Sequence, residues 1–270
     1  MKKFCLTLLL AFCILSCHAY AQTTQVENMK EVFNYIQNAN SKTLVIFDVD
    51  MVLVQPSDPA FQMANMKRFS TISKRIMKEV PEDKQMIFLS LMTIHSKPVL
   101  LDDRIPQFLQ GIIDKGVPTM AMTANLTGRF GPIQNMEKWR IESLQQLGID
   151  FSKSAPYSAS IIFDDLTSYR ENYSKYLNGI LFVNGTMISK GEALLAFLEK
   201  TDFYPEKIIF IDDRQDNLKS VEIFLKKLDK AIQYQGIHFI GAQKYPSKII
   251  SESDFESRWQ QLAYEAKEIN

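Results

Sequence analysis

Short apolar runs alternate along this chain with longer segments in which apolar residues recur at helical spacing. The run LVIF at 44–47 is long enough for a strand that is buried on both faces and too short for a helix. An apolar segment at 117–122 and a continuous run at 207–211 repeat this pattern later in the chain. We therefore predict three central strands of a parallel sheet.

Helical periodicity fills the intervals between these strands. Apolar side chains recur every three to four residues at 26–36, 105–115, 136–147 and 218–228. A glycine follows the second and the third of these segments, in the position that commonly ends a helix. A helix, a glycine, an apolar strand and then small polar residues form the succession typical of α/β proteins. The pattern predicts an α/β fold with a parallel sheet.

The second half of the chain carries further elements. Asn-Gly pairs at 178–179 and 184–185 bracket an apolar segment at 180–183, which predicts a hairpin. Ser189 and Glu192 form a capping box that opens another helix. Three more elements complete the prediction, namely a short strand at 161–163, a strand at 237–240 and a helix at 255–269. We interpret Asp164 and Asp165, which follow the first of these, as an ordinary strand end.

Two stretches interrupt the α/β pattern and are candidate cap insertions, mostly helical in character. The first, at 55–100, begins with a turn-rich segment and continues through a helix-like stretch rich in methionine. We interpret its methionines as packing residues and its basic cluster as a solvated helix face. The second candidate insertion is 126–180. Neither stretch carries a motif that indicates a substrate.

The first 21 residues have the features of a secretory signal peptide. A basic start is followed by an apolar core at 4–15 and by a small-x-small cleavage site at 19–21. This leader predicts an exported protein, periplasmic or secreted. The segment ILSC at 14–17 also resembles a bacterial lipoprotein cleavage box, so lipidation of Cys17 is an alternative. Only in that case do we expect a membrane attachment.

Composition narrows the classes of function. The chain has 270 residues, of which 46% are hydrophobic, as expected for one globular domain at 22–270 with insertions. All three cysteines, Cys5, Cys13 and Cys17, lie in the leader, so the mature chain has no thiol nucleophile and no disulfide. Loss of Lys2 and Lys3 with the leader changes the net charge from zero to −2. Nucleic acid is therefore not an expected partner.

Polar residues follow each of the three central strands. They are Asp48 and Asp50 after the first strand, Thr123 and Ala124 after the second, and Asp212, Asp213 and Asp216 after the third. In an open parallel sheet these strand ends share one crevice. Burial of paired acids there is costly without a cation. The sequence thus favours a metal site, and a solvated acidic loop is the alternative.

Lys190 lies in the first turn of the helix that Ser189 opens. The helix dipole is positive at this end and disfavours a lysine unless an anion is bound there. Backbone amides of the same turn together with Lys190 would bind phosphate, whereas a solvated surface lysine is the alternative. Acids suit Mg²⁺, and a hydroxyl and a lysine suit phosphate oxygens. The combination points to phosphoryl transfer.

The order of these motifs resembles the haloacid dehalogenase (HAD) superfamily. The resemblance implies a three-layer, Rossmann-like α/β core. The segment DVDMVL at 48–53 fits its first motif, Asp-x-Asp-x-Thr/Val. The resemblance implies that Asp48 is a nucleophile that forms an aspartyl-phosphate and also binds Mg²⁺. It implies that Asp50 is the general acid and base, and a further residue of the metal site. Phosphatases of the superfamily use this second acid, so hydrolysis is the expected reaction.

The remaining motifs of the superfamily match later strand ends, so that the resemblance covers roughly 43–241. Thr123 with Ala124 matches the second motif, which holds the phosphoryl group, and Lys190 matches the third, which stabilises its charge. Asp212 matches the first acid of the fourth motif. Either Asp213 or Asp216 matches the second acid, and the sequence leaves this choice open. The secreted chain also looks like bacterial acid phosphatases and an exported HAD-like branch.

The expected function is that of an exported, Mg²⁺-dependent phosphatase which acts on a small phosphorylated substrate. The alternative is a secreted HAD-like binding or host-interaction protein that has weak or no catalytic activity.

Overall fold

The computed structural model describes residues 22–269. The predicted signal peptide at 1–21, with Cys17, lies outside the described residues. The strands are β1 (Gln22–Val26), β2 (Thr43–Phe47), β3 (Val54–Pro56), β4 (Pro98–Leu100), β5 (Thr119–Thr123), β6 (Ile161–Phe163), β7 (Ser174–Leu177), β8 (Ile180–Phe182), β9 (Lys207–Asp212) and β10 (Gln233–Phe239). The α-helices are α1 (Met29–Ile36), α2 (Met63–Arg68), α3 (Ser70–Glu79), α4 (Glu82–His95), α5 (Ile105–Asp114), α6 (Met136–Gln146), α7 (Lys190–Thr201), α8 (Gln215–Leu225), α9 (Gly241–Lys244) and α10 (Glu252–Glu268).

The main sheet has eight strands in the order β1-β10-β9-β2-β5-β8-β7-β6. The six strands from β1 to β8 in this order are parallel, and β7 runs antiparallel to both of its neighbours. The register places Ile46 of β2 opposite Phe210 of β9, so the two most apolar strands lie side by side. The predicted α/β fold with a mostly parallel sheet is confirmed.

Side chains of the central strands alternate between two apolar layers, because successive residues of a strand point to opposite faces. Val45 and Phe47 pack on one face with residues of α1, α5 and α6. Leu44 and Ile46 pack on the other face with residues of α7 and α8. All four side chains are buried, which explains the unbroken apolar run in the sequence. The sheet is therefore the middle of three layers.

The segment 55–100 forms a separate helical unit with its own apolar cluster. β3 and β4 pair antiparallel where the chain enters and leaves it, and α2, α3 and α4 lie between them. Helix α10 completes this cluster: Trp259 is buried against Phe61 and Phe88, and Phe255 is buried against Phe69. The Trp259 indole N–H also donates to the Ala60 carbonyl oxygen at 3.0 Å. The final helix thus packs against the insertion, a contact that the sequence did not reveal.

The segment 126–180 differs from the expected helical cap. Helix α6 packs on the sheet through Ile141 and Leu144, and β6 and β7 extend the sheet beyond β8. The hairpin turn at Asn178-Gly179 joins β7 to β8 as predicted. Most of this segment therefore belongs to the central layers. Its two added strands are only three and four residues long, too short to give a periodic signal.

The edge strand β1 was not predicted. Its sequence, QTTQV, is mostly polar, and it is paired on one side only, with β10. The predicted strand at 237–240 is also longer in the structure, where β10 begins at Gln233. Among the helices of the described residues, none has both the length and the apolar character needed to cross a bilayer.

Candidate functional site

The candidate site lies where the direction of chain winding reverses along the sheet. From β2 the chain passes to β5 on one side, and it later returns to β9 on the other side. The carboxyl ends of these three neighbouring strands lead into Asp48, Thr123 and Asp212. Such a reversal opens a crevice at the carboxyl edge of an α/β sheet, and ligands bind there.

Three acids converge at this edge. One carboxylate oxygen of each of Asp48, Asp212 and Asp213 lies within 4.8 Å of the others. The three residues are only 7%, 0% and 6% exposed. Carboxylate oxygens are the donors that Mg²⁺ prefers, so the set is chemically suited to a hard divalent cation. We call these three residues the acidic cluster.

Lys190 reaches into the acidic cluster and is itself buried. Its Nζ lies 2.8 Å from Asp48 Oδ1 and 2.7 Å from Asp212 Oδ2. The predicted phosphate-binding lysine therefore contacts two carboxylates in this structure. If all three acids are ionised, the acidic cluster together with Lys190 has a net charge of −2, and this charge is buried. That remaining charge favours the binding of a cation.

The pKa shifts reflect the burial of these charges. Burial raises the pKa of Asp48 well above its ordinary value, against the attraction of Lys190. Burial also raises the pKa of Asp213 to about 6, and the charge of Asp212 adds to the increase. Burial lowers the pKa of Lys190, but the attraction of Asp212 and Asp48 outweighs it and the pKa is raised overall. Lys190 is therefore the cation of the cluster at neutral pH.

The local sequence explains how Lys190 comes to this position. The Ser189 hydroxyl accepts a hydrogen bond from the Glu192 N–H and caps α7, as the sequence predicted. Gly191 lets α7 approach α8 closely, because a Cβ at this position would lie 2.4 Å from the Ser220 carbonyl oxygen. The first turn of α7 is thereby pressed against α8, beside the end of β9. This contact places the Lys190 side chain between two strand ends.

Asp50 lies outside the acidic cluster and pairs with an arginine. Arg140 Nη2 lies 2.9 Å from Asp50 Oδ1, and Arg140 Nε donates to Asn125 Oδ1 at 2.6 Å. Asn125 Nδ2 in turn donates to Asp50 Oδ2 at 3.0 Å. The Asp50 side chain is 41% exposed, whereas that of Arg140 is 5% exposed. Arg140 and Asn125 thus hold the Asp50 carboxylate in a fixed orientation.

Sequence analysis missed Arg140 and Asn125 as site residues. Arg140 lies on the buried face of α6 with Met136 and Leu144, four residues away on either side. A charged residue on an apolar helix face is the signal that could have identified it, because such a residue is rarely buried without a partner. Asn125 directly follows the predicted phosphate-binding residues, yet its amide contacts only become evident in the structure.

Asp213 and Asp216, between which the sequence left a choice, lie in different environments. Asp213 belongs to the acidic cluster, whereas Asp216 is exposed on the first turn of α8 and lies outside the cluster. Asn217, the next residue, reaches Asp212 instead, with Nδ2 at 3.0 Å from Oδ1. This amide is a further contact that sequence analysis missed. The acidic pair Asp164-Asp165 is exposed and pairs with Lys200, as expected for an ordinary strand end.

Thr123 and Ala124 lie at the edge where a phosphoryl group was predicted. Thr123 is buried, and its Oγ1 accepts a hydrogen bond from the Asn125 N–H at 3.1 Å. Ala124 is exposed, and its carbonyl oxygen accepts from the Gly185 N–H at 2.9 Å. The loop after β5 is thus held in place by hydrogen bonds at the carboxyl edge of the sheet.

Met51 adopts a left-handed backbone conformation, with φ of 64°. Its N–H donates to the Val54 carbonyl oxygen at 2.7 Å, and the Val54 N–H donates to Val49 at 3.1 Å. For a residue with a side chain this conformation costs about 1–2 kcal/mol. The hydrogen bonds of the turn therefore hold Met51 in a strained backbone conformation. This turn directs Asp50 towards Arg140.

A cavity of about 480 Å³ opens beside Asp50, Met51, Ala124 and Asn125. Its walls come from loops that follow strands of the main sheet, from α6 and from the insertion at 55–100. The candidate site thus has two parts, a buried acidic cluster and an adjoining large cavity.

The fold and the site define a class: a three-layer α/β protein with a buried acidic cluster at the carboxyl edge of a mostly parallel sheet. The chain belongs to the family described as "Protein of unknown function (DUF2608)", whose family model matches residues 25–268.

Similar proteins occur in Rickettsia and Chlamydia species, and the matches cover most of the chain. A Rickettsia bellii protein named "Uncharacterized protein" is 26% identical over 245 residues, which are 88% of this chain and 83% of that protein. A Rickettsia felis protein of the same printed name is 28% identical over 211 residues, or 76% and 71% of the two chains. A Chlamydia trachomatis protein named "Putative outer membrane protein" is 23% identical over 247 residues, or 90% and 87%.

Proposed function

We propose that this protein is an exported, Mg²⁺-dependent phosphatase of the HAD type, which hydrolyses a small phosphomonoester through an aspartyl-phosphate. The observation that carries the proposal is the contact of buried Lys190 with both Asp48 and Asp212, beside Asp213. Acids at two adjacent strand ends and a lysine from a third element suit phosphoryl transfer, where positioning and charge stabilisation dominate.

Asp48 is the nucleophile in this proposal. An anionic nucleophile must approach an anionic phosphate, so positive charge beside it lowers the electrostatic barrier. Lys190 provides such a charge at 2.8 Å from Asp48 Oδ1. The Val49 N–H also donates to the same oxygen at 2.7 Å and fixes the orientation of the carboxylate. Burial further removes competing water from the nucleophile.

Asp48, Asp212 and Asp213 would hold the metal ion. When bound, Mg²⁺ would neutralise phosphate charge and orient the phosphoryl oxygens. Asn217 keeps Asp212 in place through its side-chain amide. Gln243 holds Asp213, since its Nε2 donates to the Asp213 backbone carbonyl oxygen at 2.6 Å and lies 3.3 Å from the carboxylate Oδ2.

The reaction proceeds in two steps in this proposal. An Asp48 carboxylate oxygen forms a bond to phosphorus, the bond to the alcohol oxygen breaks, and Asp50, acting as the general acid, supplies the proton that the leaving alcohol takes up. Asp50 then accepts a proton from water, whose oxygen attacks phosphorus, and inorganic phosphate leaves with regeneration of the Asp48 carboxylate. Thr123 and the backbone at Ala124 would hold phosphoryl oxygens, with Lys190.

Hydrolysis of p-nitrophenyl phosphate by the mature protein tests this proposal. We expect release of p-nitrophenol with Mg²⁺, loss of release after chelation, and abolition by Asp48→Asn in a protein that keeps its circular dichroism spectrum. Asp164→Asn is the matched control, because this acid also follows a strand but lies exposed beside Lys200. It should retain full activity.

Turnover that survives Asp48→Asn would contradict the nucleophile assignment. A folded protein that is inactive on a broad panel of phosphomonoesters with Mg²⁺ would instead favour the alternative, a HAD-like binding or host-interaction protein.

We also propose that the protein is exported by its leader at 1–21, to the periplasm or beyond. The leader's apolar core and cleavage site support this, and the printed name of the Chlamydia trachomatis relative agrees with it. Amino-terminal sequencing of the protein from its native cells tests the proposal. A chain that begins at Gln22 is the expected result, a lipidated Cys17 identifies the lipoprotein alternative, and an intact Met1 would contradict export.

A further inference from the structure

The cavity beside the acidic cluster is large enough to receive more than a phosphate. Its volume is about 480 Å³, within the usual range of small-molecule pockets. At one end it is lined by Asp50 and by Ala124, which adjoin the predicted phosphate-binding edge. A phosphomonoester bound at that edge would therefore extend its alcohol part into the cavity.

The lining of this cavity is mostly apolar. Five methionines contribute to it, namely Met51, Met66, Met86, Met92 and Met136. Three of them come from the insertion at 55–100, whose methionines the sequence suggested as packing residues. Methionine side chains are flexible and polarizable, so they adapt to apolar ligands of varied shape. The rings of Phe61, Phe130 and Trp139 complete the apolar surface.

Charge in the cavity lining is already compensated. The charged lining residues are Asp50 and Arg140, and these form an ion pair with each other. Arg140 additionally donates to Asn125. A second phosphate or a carboxylate on the ligand would find no uncompensated cation among the lining residues. Polyanionic ligands such as nucleoside diphosphates therefore fit this cavity poorly.

One polar atom of the lining residues lacks a partner. Gln55 is 5% exposed, and its Oε1 is the buried side-chain atom without a hydrogen-bond partner in the described part of the chain. An unsatisfied buried acceptor costs about 1–3 kcal/mol. A hydroxyl or amide N–H on a ligand would satisfy it. Gln55 thus marks one polar position with an unused acceptor in a wall that is mostly apolar.

We propose that the substrate is a phosphomonoester of an apolar alcohol, whose hydrocarbon part fills this cavity and carries one hydrogen-bond donor for Gln55. This assignment rests on the proposed phosphatase function for the location of the phosphate. The choice of an apolar alcohol does not depend on that function, because it follows from the size, the apolar lining and the paired charges of the cavity.

Binding of non-hydrolysable alkylphosphonates tests the inference without any turnover. Ethyl-, butyl-, hexyl- and octylphosphonate are titrated into the mature protein with Mg²⁺ by calorimetry. Each buried methylene should tighten binding by up to about fourfold, so octylphosphonate should bind at least about 100-fold more tightly than ethylphosphonate. Affinities that stay within about threefold across the series would overturn the proposal.

A pair of methionine substitutions locates the binding. Met86→Gln places a polar amide in the lining and should weaken octylphosphonate binding by about tenfold, with less than about twofold effect on ethylphosphonate. Met63→Gln is the control, because Met63 lies in the same insertion and is not part of the lining. Equal effects of the two substitutions on octylphosphonate would contradict binding in this cavity.

Gln55→Met tests the hydrogen-bond donor. The ligands are phosphonates with a chain of octyl length that contains one secondary amide N–H. The amide position differs by one chain atom from one ligand to the next. We expect one position to bind about fivefold more tightly than the plain chain, and Gln55→Met to remove this gain while octylphosphonate still binds. Absence of a gain at every position would overturn the assignment of the donor.

The two proposals fail in different ways. Hydrolysis of p-nitrophenyl phosphate that depends on Asp48, together with phosphonate binding that ignores chain length, would retain the phosphatase and reject the apolar alcohol. Length-dependent binding that Met86→Gln weakens, without hydrolysis of any ester, would retain the apolar ligand and reject the phosphatase.

Discussion

Replacement of Lys190 by methionine tests the electrostatic account of the acidic cluster most directly. Methionine keeps an unbranched side chain of similar length but removes the ammonium group. The change leaves the carboxylates of Asp48 and Asp212 buried without the cation that lies 2.8 Å and 2.7 Å from them. We expect Lys190→Met to fold with a markedly lower free energy of unfolding.

The magnitude follows from the burial of all three partners. Lys190 is 3% exposed, and Asp48 and Asp212 are 7% and 0% exposed. Removal of one member of such a buried ion pair costs about 3–5 kcal/mol, because it leaves uncompensated charge in the interior. The total stability of a domain is only about 5–15 kcal/mol, so the loss would be a large fraction of it.

Urea unfolding in chelator at pH 8 measures this loss. Lys42→Met is the matched control, because Lys42 forms its ion pair with Glu206 at the surface and both side chains are more than half exposed. We expect the control to unfold as the wild-type protein does. The loss in Lys190→Met should be smaller at pH 5 than at pH 8, since Asp213, with its pKa raised to about 6 by burial and by Asp212, is then protonated.

Excess Mg²⁺ should restore part of the stability of Lys190→Met at pH 8, because the ion would replace the missing positive charge. The electrostatic account is refuted if Lys190→Met loses no more stability than Lys42→Met in chelator. Destabilisation that is the same at both pH values would also contradict it.

Three further predictions concern other parts of the site. Asp213 binds its proton more tightly when folded, so its stabilising contribution, roughly 3 kcal/mol, is complete below about pH 4 and lost as the pH rises through 6. The increase in Tm on addition of Mg²⁺ should therefore be larger at pH 7.5 than at pH 5 in thermal melts; equal increases would contradict this. Arg140→Leu should lower kcat for p-nitrophenyl phosphate about 10- to 100-fold in steady-state kinetics, because Asp50 would be misplaced. An unchanged kcat would contradict this role of Arg140. Trp259→Ala should cost about 3–5 kcal/mol in urea unfolding, and a loss below about 1 kcal/mol would show that α10 does not hold the insertion.

The turn after β2 shows why a local motif needed the structure for its interpretation. DVDMVL indicates two acids at a strand end, yet the structure separates them. Asp48 joins the acidic cluster, whereas Asp50 pairs with Arg140, which is 90 residues away in the sequence. The left-handed Met51 is the residue at which the chain turns between these two environments.

The two candidate insertions show the same limit at a larger scale. Residues 55–100 do form a helical unit, but their apolar cluster is closed by α10, which follows more than 150 residues later. Residues 126–180 carry little periodicity, and yet β6 and β7 add to the main sheet. Local patterns do not specify such partners, because burial depends on which element lies opposite.

The sequence alone determined the central strands, the helices between them and the acids at the strand ends. Apolar periodicity and capping are local properties, and parallel strands necessarily bring their carboxyl ends to one edge. Tertiary structure alone decided the partners: Lys190 with two acids, Arg140 with Asp50, and the insertion as a wall of an apolar cavity. These contacts join residues that are far apart in the chain, and they depend on how the layers pack.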